Sequence, residues 1–240
     1  MRATPLNGGA ATVAASPPWN AAMRLLVTGA NGLVGQGVLR ECLDAADVAQ
    51  VVALGRHPSG QSHARLSELI CPDFSELGAV ENRLQPFDAC LYCAGALPVG
   101  TPEDEYRHVT LDLTTNVART LARLNPGLAF LYISGAHADA DSRIMPLRVK
   151  GETERALATL PIRTVMLRPG AIQPVDGVRS PHSMMDAMYR ITGPLMGLGV
   201  RLMPGMMTTT ARVGRAMLAL LRQDDPPAVV ENDAINRLGE

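Results

Sequence analysis

Three glycines, Gly29, Gly32 and Gly35, stand between a short apolar run and a helical pattern. The run is Leu25-Leu26-Val27, ending at Thr28; the pattern begins with Leu33, Val34, Val38, Leu39 and Leu43. Strand, tight glycine turn and helix in that order build an anion site. A helix N-terminus offers N–H groups with no intrahelical partner and a partial positive charge. Glycine removes the side chains that would hold a phosphate away from the backbone. The chemistry expected is binding of a dinucleotide pyrophosphate. The spacing is G-x-x-G-x-x-G, not G-x-G-x-x-G, so the flanking strand and helix carry much of the signal. A turn that merely uses glycine is the plainer alternative.

Two further residues fit the adenosine end of such a ligand. Arg56 lies 21 residues beyond Gly35, just past the second apolar run, in Gly55-Arg56-His57. A carboxylate there would bond the ribose 2′-hydroxyl of NAD; an arginine suits a 2′-phosphate, so NADP is expected over NAD. A plain surface arginine is the alternative. Asp73, after the third run, has two readings: acceptor for the adenine amino group, or cap of a helix starting near Ser75.

The elements that must position these groups alternate along the chain. Strands are expected at Val48–Leu54, Leu66–Cys71, Ala89–Ala94, Leu128–Ile133 and Ile162–Leu167, and a short final one at Ala228–Glu231. Helices are expected from about Glu103 to Leu124, from about Pro146 to Leu160, and after Thr208-Thr209-Thr210 as far as Asp225. Such alternation predicts a parallel sheet with helices on both faces and ligands beyond the carboxyl ends of the strands. Residues 171–207 differ in kind, with many Pro, Gly and Met residues. Met184, Met185, Met188, Ile191, Leu195, Met196 and Leu198 form an apolar stripe, followed by Met203, Met206 and Met207. Core or lid packing is the favoured reading; an apolar pocket wall or a membrane-surface helix is the other.

The bulk numbers exclude several classes. At 240 residues and 47% hydrophobic, the chain fits one α/β domain with a sizeable core. A net charge of −1 makes no electrostatic case for nucleic acid or an acidic membrane, and three Phe, four Tyr and one Trp make no base-stacking platform. No span is long and apolar enough for a transmembrane helix. Residues 1–22 hold one charge, Arg2, and no apolar signal region, and read as a disordered tail. Cys42, Cys71, Cys90 and Cys93 resemble no disulfide framework, so a cytoplasmic protein is expected. Cys90 and Cys93 lie three apart on a strand, hence on opposite faces, which argues against a shared metal.

Thr-Gly-Ala-Asn-Gly-Leu-Val-Gly, Gly-Arg, Cys-Pro-Asp, Tyr-Cys-Ala-Gly-Ala, Tyr-Ile-Ser-Gly, Val-Lys-Gly-Glu-Thr-Glu and Leu-Arg-Pro-Gly follow one another in that order. Together they resemble the atypical or extended short-chain dehydrogenase/reductase superfamily, and more narrowly its nucleoside-diphosphate-sugar epimerase-like members, over residues 23–240. The resemblance implies that Gly29, Asn31, Gly32, Leu33, Val34 and Gly35 hold the pyrophosphate. It places Arg56 and Asp73 at the adenosine end, Ala94, Gly95 and Ala96 beside the ribose, and Arg168, Pro169 and Gly170 near the nicotinamide.

One departure matters. Members of the superfamily use Tyr-x-x-x-Lys, in which the tyrosine passes the proton. Here Lys150 is present, but Pro146 stands four residues before it. The supporting hydroxyl has a near match in Ser134, while its more usual place is Ala136. A carbonyl reduced by hydride still needs a proton. The candidates are His137, otherwise a solvated loop histidine; Lys150, for which ribose binding is the favoured role and an exposed helix lysine the plainer one; and a bound water.

The expected fold is therefore a single Rossmann-like doubly wound parallel sheet over residues 23–240, with 171–207 as a small C-terminal substrate-side cap. The expected function is an NADP(H)-binding oxidoreductase or epimerase acting on a small carbonyl or sugar-like substrate, with a non-standard proton donor. The other class is a non-catalytic NADP(H)-sensing protein that binds a protein partner. A homodimer is compatible with either, on fold analogy alone.

Overall fold

Seven strands lie in one parallel sheet, in the order Leu66–Ile70, Val48–Gly55, Met23–Thr28, Ala89–Tyr92, Ala129–Ile133, Arg163–Arg168 and Val229–Glu231 across it. The computed structural model describes residues 22–178, 203 and 205–240. The strands are β1 (Met23–Thr28), β2 (Val48–Gly55), β3 (Leu66–Ile70), β4 (Ala89–Tyr92), β5 (Ala129–Ile133), β6 (Arg163–Arg168) and β9 (Val229–Glu231). Every neighbouring pair is parallel, with Leu26 beside both Val52 and Cys90, and Tyr92 beside Tyr132. The order turns back between β1 and β4. A crevice opens at such a point because successive crossovers leave on opposite faces.

Both faces are covered, which is why the strands read as continuous apolar runs rather than alternating ones. On one face Leu25, Val27, Leu131 and Val165 pack against α1 (Leu33–Asp44), α5 (Thr210–Leu221) and α6 (Asn232–Leu238). On the other, Leu26, Cys90, Phe130 and Tyr132 pack against a 3-10 segment (Leu77–Arg83), α3 (Leu113–Leu124) and α4 (Met145–Leu157). Each fully buried Leu or Val stabilises the fold by about 1.5–3 kcal/mol. Cys90 and Cys93 do divide between the two faces, and all four thiols are free. No metal-binding cluster occurs among the described residues.

Several boundaries are corrected. β4 ends at Tyr92, not Ala94, and α5 ends at Leu221, well before Asp225. The single helix expected over 103–124 is α2 (Glu103–Arg107), a π-helical turn (His108–Asp112) and α3. A π turn frees a carbonyl from the α-helical ladder; here Thr153 Oγ1 of α4 donates to the Thr110 carbonyl at 3.3 Å. α4 begins with Pro146 in its first turn, where a missing N–H does no harm. Thr209 caps α5, its hydroxyl accepting from the Arg212 N–H at 3.1 Å. The cap region holds a two-stranded parallel ladder, β7 (Ala171–Gln173) with β8 (Met207–Thr209), where no strand was expected. The stripe from Met184 to Leu198, and the tail before residue 22, lie outside the described residues.

Candidate cofactor and catalytic site

The glycine turn closes on itself. Gly29 takes φ +68°, and a Cβ there would lie 2.6 Å from the Ala94 nitrogen. A Cβ on Gly35 would lie 2.0 Å from the Gly29 carbonyl oxygen, so only glycine lets the start of α1 sit on the turn. The Gly32 N–H donates to that same oxygen at 2.8 Å. Gly32 is the N-cap of α1, no side chain caps the helix, and no acidic residue occupies its first turn. Leu33 and Val34 form that first turn and are half-buried. Thr28 locks the floor: its hydroxyl accepts from the N–H groups of Cys93 at 3.1 Å and Ala94 at 3.3 Å. Gly95 beyond is exposed and Ala96 half-buried.

Asn31 has a role the sequence did not suggest. Its side-chain amide donates to the carbonyls of His57 at 3.3 Å and Pro58 at 3.0 Å. That pair of bonds fastens the segment bearing the exposed Arg56 beside the glycine turn. Asp73 is also exposed and acts as a turn cap, its carboxylate accepting from the Ser75 N–H at 2.8 Å. The Ser75 side chain and then this backbone bond hold its carboxyl below the usual range.

Lys150, Ser134 and the end of β5 come together. The Lys150 ammonium donates to the Ile133 carbonyl at 2.9 Å and to the Tyr132 hydroxyl at 3.0 Å. Half-buried, it is not an exposed helix lysine. Burial pulls its pKa down to about 8, against an upward pull from Glu154 and then Cys93. Tyr132 is fully buried, and burial pushes its hydroxyl well above the ordinary tyrosine range. The Ser134 hydroxyl is buried with no hydrogen-bond partner among the described residues. A buried hydroxyl is nearly always bonded, so this one fits a site that a ligand completes. His137 is exposed, with φ +61° in a turn closed by the Ala138 N–H on the Gly135 carbonyl at 3.2 Å. Non-glycine residues rarely take this conformation.

The Arg168-Pro169-Gly170 segment is structural in its contacts. Arg168 Nε and Nη2 donate to Glu154 at 3.0 and 2.6 Å, and Nη1 to Glu231 at 3.1 Å, joining β6 to α4 and β9. These bonds raise the guanidinium above its already high range. The Pro169 carbonyl accepts from the Ala136 N–H at 3.0 Å. A Cβ on Gly170 would lie 2.1 Å from the Met206 carbonyl oxygen, so glycine admits the β8 segment here.

All of these groups stand at the carboxyl edge of the sheet, where such folds bind ligands. A shallow concavity of about 370 Å³ lined by Arg24, Gln50, Arg65 and Ser67 sits at the opposite edge. Tyr132 is the site residue that the sequence concealed. It read as a core strand position, and its partner lies 18 residues away on another element.

The sequence profile of the NAD dependent epimerase/dehydratase family matches residues 25–161, more than half of the chain. The chain belongs to that family. It is 27% identical over 215 residues to "Protein FMP52, mitochondrial" of Eremothecium gossypii, covering 86% of this chain and 92% of that one. Among solved structures it resembles "MoeE5 in complex with UDP-glucuronic acid and NAD", at TM-score 0.65 and 18% identity, covering 86% of this chain and 75% of that one. It also resembles uronate dehydrogenase from Agrobacterium tumefaciens, at TM-score 0.64 and 15% identity, with 90% and 83% coverage. At these identities the structural likeness shows the Rossmann-like fold. The family is one of NAD(P)-binding, epimerase- or dehydrogenase-like proteins. The cytoplasmic expectation is overturned, since the FMP52 relatives are named mitochondrial. Free cysteines do not distinguish one compartment from another. No helix among the described residues is long and apolar enough to cross a membrane.

Proposed function

We propose that this chain binds NADP(H) in preference to NAD(H) and acts as an oxidoreductase or epimerase on a small carbonyl or sugar-like substrate. The observation that carries this reading is the uncapped N-terminus of α1 behind a turn that admits only glycine, with Arg56 fastened beside it through Asn31. The α1 N–H groups bind the pyrophosphate. Arg56 receives the 2′-phosphate, where a carboxylate would repel it. Asp73 serves the adenine, and Ala94, Gly95 and Ala96 flank the ribose. Lys150 and the orphaned Ser134 hydroxyl stand at the nicotinamide end, with Pro169 and Gly170 shaping the wall beside them. When bound, the nicotinamide supplies hydride exchange with a substrate carbon. The uronates named for the structural relatives are the first substrates to screen.

Calorimetric titration with NADPH and NADH, on wild type and Arg56→Ala, tests this. Tighter binding of NADPH is expected, weakened about tenfold or more by the substitution while NADH is little affected. Binding of neither dinucleotide by wild type would sink the reading.

A further inference from the structure

Lys150 is the only lysine in the chain: of 22 Lys and Arg residues, the other 21 are arginine. Wherever this protein needs a plain surface or paired cation, it uses a guanidinium. The one exception sits at the carboxyl edge of the sheet. The physical difference is proton exchange, since a guanidinium does not release a proton in a protein and an ammonium does.

The geometry around the exception is that of a held, reactive amine. An ammonium has three N–H donors. Two are fixed, on the Tyr132 hydroxyl at 3.0 Å and the Ile133 carbonyl at 2.9 Å. The third has no acceptor among the described residues. Tyr132 is fully buried and cannot itself reach a substrate. Pro146, four residues before Lys150, supplies no proton-bearing side chain.

We infer, on the cofactor reading above, that Lys150 is the proton-transferring residue of this site and that Tyr132 is its positioning residue. In the reducing direction the substrate carbonyl carbon accepts hydride from a reduced nicotinamide dinucleotide. The carbonyl π pair moves onto oxygen, and the oxygen takes a proton from Lys150 Nζ. The dinucleotide is left oxidised by two electrons, and solvent returns the proton to the amine. The reverse direction runs the same steps backward, with the neutral amine as base.

The groups around Lys150 leave the amine able to do this near neutral pH. From β5 comes Tyr132, and from the chain after β4 comes Cys93. Burial pushes both well up, Cys93 to about 12, so neither carries a charge. From α4 comes Glu154, whose carboxylate is bound by Arg168. Burial of the ammonium outweighs these partners and brings Lys150 to about 8.

A single lysine makes the test direct. Protein made with labelled lysine gives one ε-carbon signal by NMR, which is followed against pH in wild type and Tyr132→Phe. A midpoint about 8 is expected, lower in Tyr132→Phe because the lost hydroxyl bonds the charged form. Reduction of benzaldehyde, phenanthrenequinone and glucuronic acid by NADPH is then measured in wild type, Tyr132→Phe and Lys150→Arg. The rate should follow the NMR midpoint, move with it in Tyr132→Phe, and fall about a hundredfold or more in Lys150→Arg at saturating NADPH. A midpoint in the ordinary lysine range overturns the inference. So does a Lys150→Arg variant that loses only NADPH affinity and turns over normally at saturation, which would mark a ribose-binding role. So does a wild type that binds NADPH and reduces none of the three carbonyls. Failure to bind either dinucleotide is a separate result and refutes the cofactor reading, whatever the midpoint of the lysine signal.

Discussion

Gly35→Ala is the sharpest perturbation of the proposed anion cradle. The new Cβ would lie 2.0 Å from the Gly29 carbonyl oxygen and 2.5 Å from its carbon, where real Cβ atoms do not come within 3.0 Å. Both contacts are backbone, so no flexible side chain can give way. Turn and helix must part by about 1 Å, which also loosens the 2.8 Å bond from the Gly32 N–H to that oxygen. Overpacking of this kind costs about 1–3 kcal/mol, and the weakened bond about 0.5–1.5 kcal/mol. Alanine's better helix propensity returns about 0.5–1 kcal/mol. The net expectation is a loss of about 0.5–4 kcal/mol, within what a domain of this size survives. Displacement of the α1 N–H groups should cost dinucleotide affinity far more than it costs the fold. Urea unfolding reads the first effect and calorimetry with NADPH reads the second. Gly78→Ala is the control, because a Cβ there meets nothing within 4 Å; it should change stability by less than about 0.5 kcal/mol and leave binding intact. A folded Gly35→Ala protein that binds NADPH as wild type does would refute the cradle.

Three further outcomes follow from bonds in the structure. Thr28→Val keeps the shape but removes the acceptor for the Cys93 and Ala94 N–H groups; a loss of about 1–3 kcal/mol is expected in chemical denaturation. Glu154→Gln leaves the half-buried Arg168 guanidinium with Glu231 as its charged partner. It should cost about 3 kcal/mol, and it should lower the Lys150 midpoint seen by NMR, because Glu154 favours the charged ammonium. Asp47 is held below the usual carboxylate range by its bonds from Arg222 at 2.8 Å. Its contribution is therefore complete above the unfolded carboxylate pKa, about 3.9, and is lost as pH falls through the lower folded value. Both side chains are nearly half exposed, so Asp47→Asn should cost less than about 1 kcal/mol at neutral pH. It should cost nothing in strong acid, as a pH series of denaturation midpoints would show.

Periodicity and punctuation made most of the architecture legible in the sequence. The six main strands are apolar runs because both faces of the sheet are covered, and a residue such as Leu26 or Leu131 has no solvent side to advertise. The glycine turn was legible because backbone strain and close approach leave glycine as the only choice, and such demands are local. Elements made by distant contacts were not legible. β7 and β8 are three residues each, too short for a period, and exist because Gly170 lets the Met206 carbonyl approach. The π turn at His108–Asp112 breaks a pattern that reads as one helix, and its Thr110 carbonyl finds a partner on α4.

The site divides along the same line. Sequence alone determined that a glycine turn stands between the first strand and the first helix, that Arg56 follows the second strand, and that Pro146, not a tyrosine, stands four residues before Lys150. Only the tertiary structure decided what surrounds Lys150 and Arg168. The first meets Tyr132 from a strand on which alternate side chains face opposite layers; the second meets Glu154 and Glu231 from two other elements. Such pairings depend on which helix covers which face and at what register, and these are set by packing across the sheet. No local spacing encodes them, because the residues that meet are brought together by the burial of others.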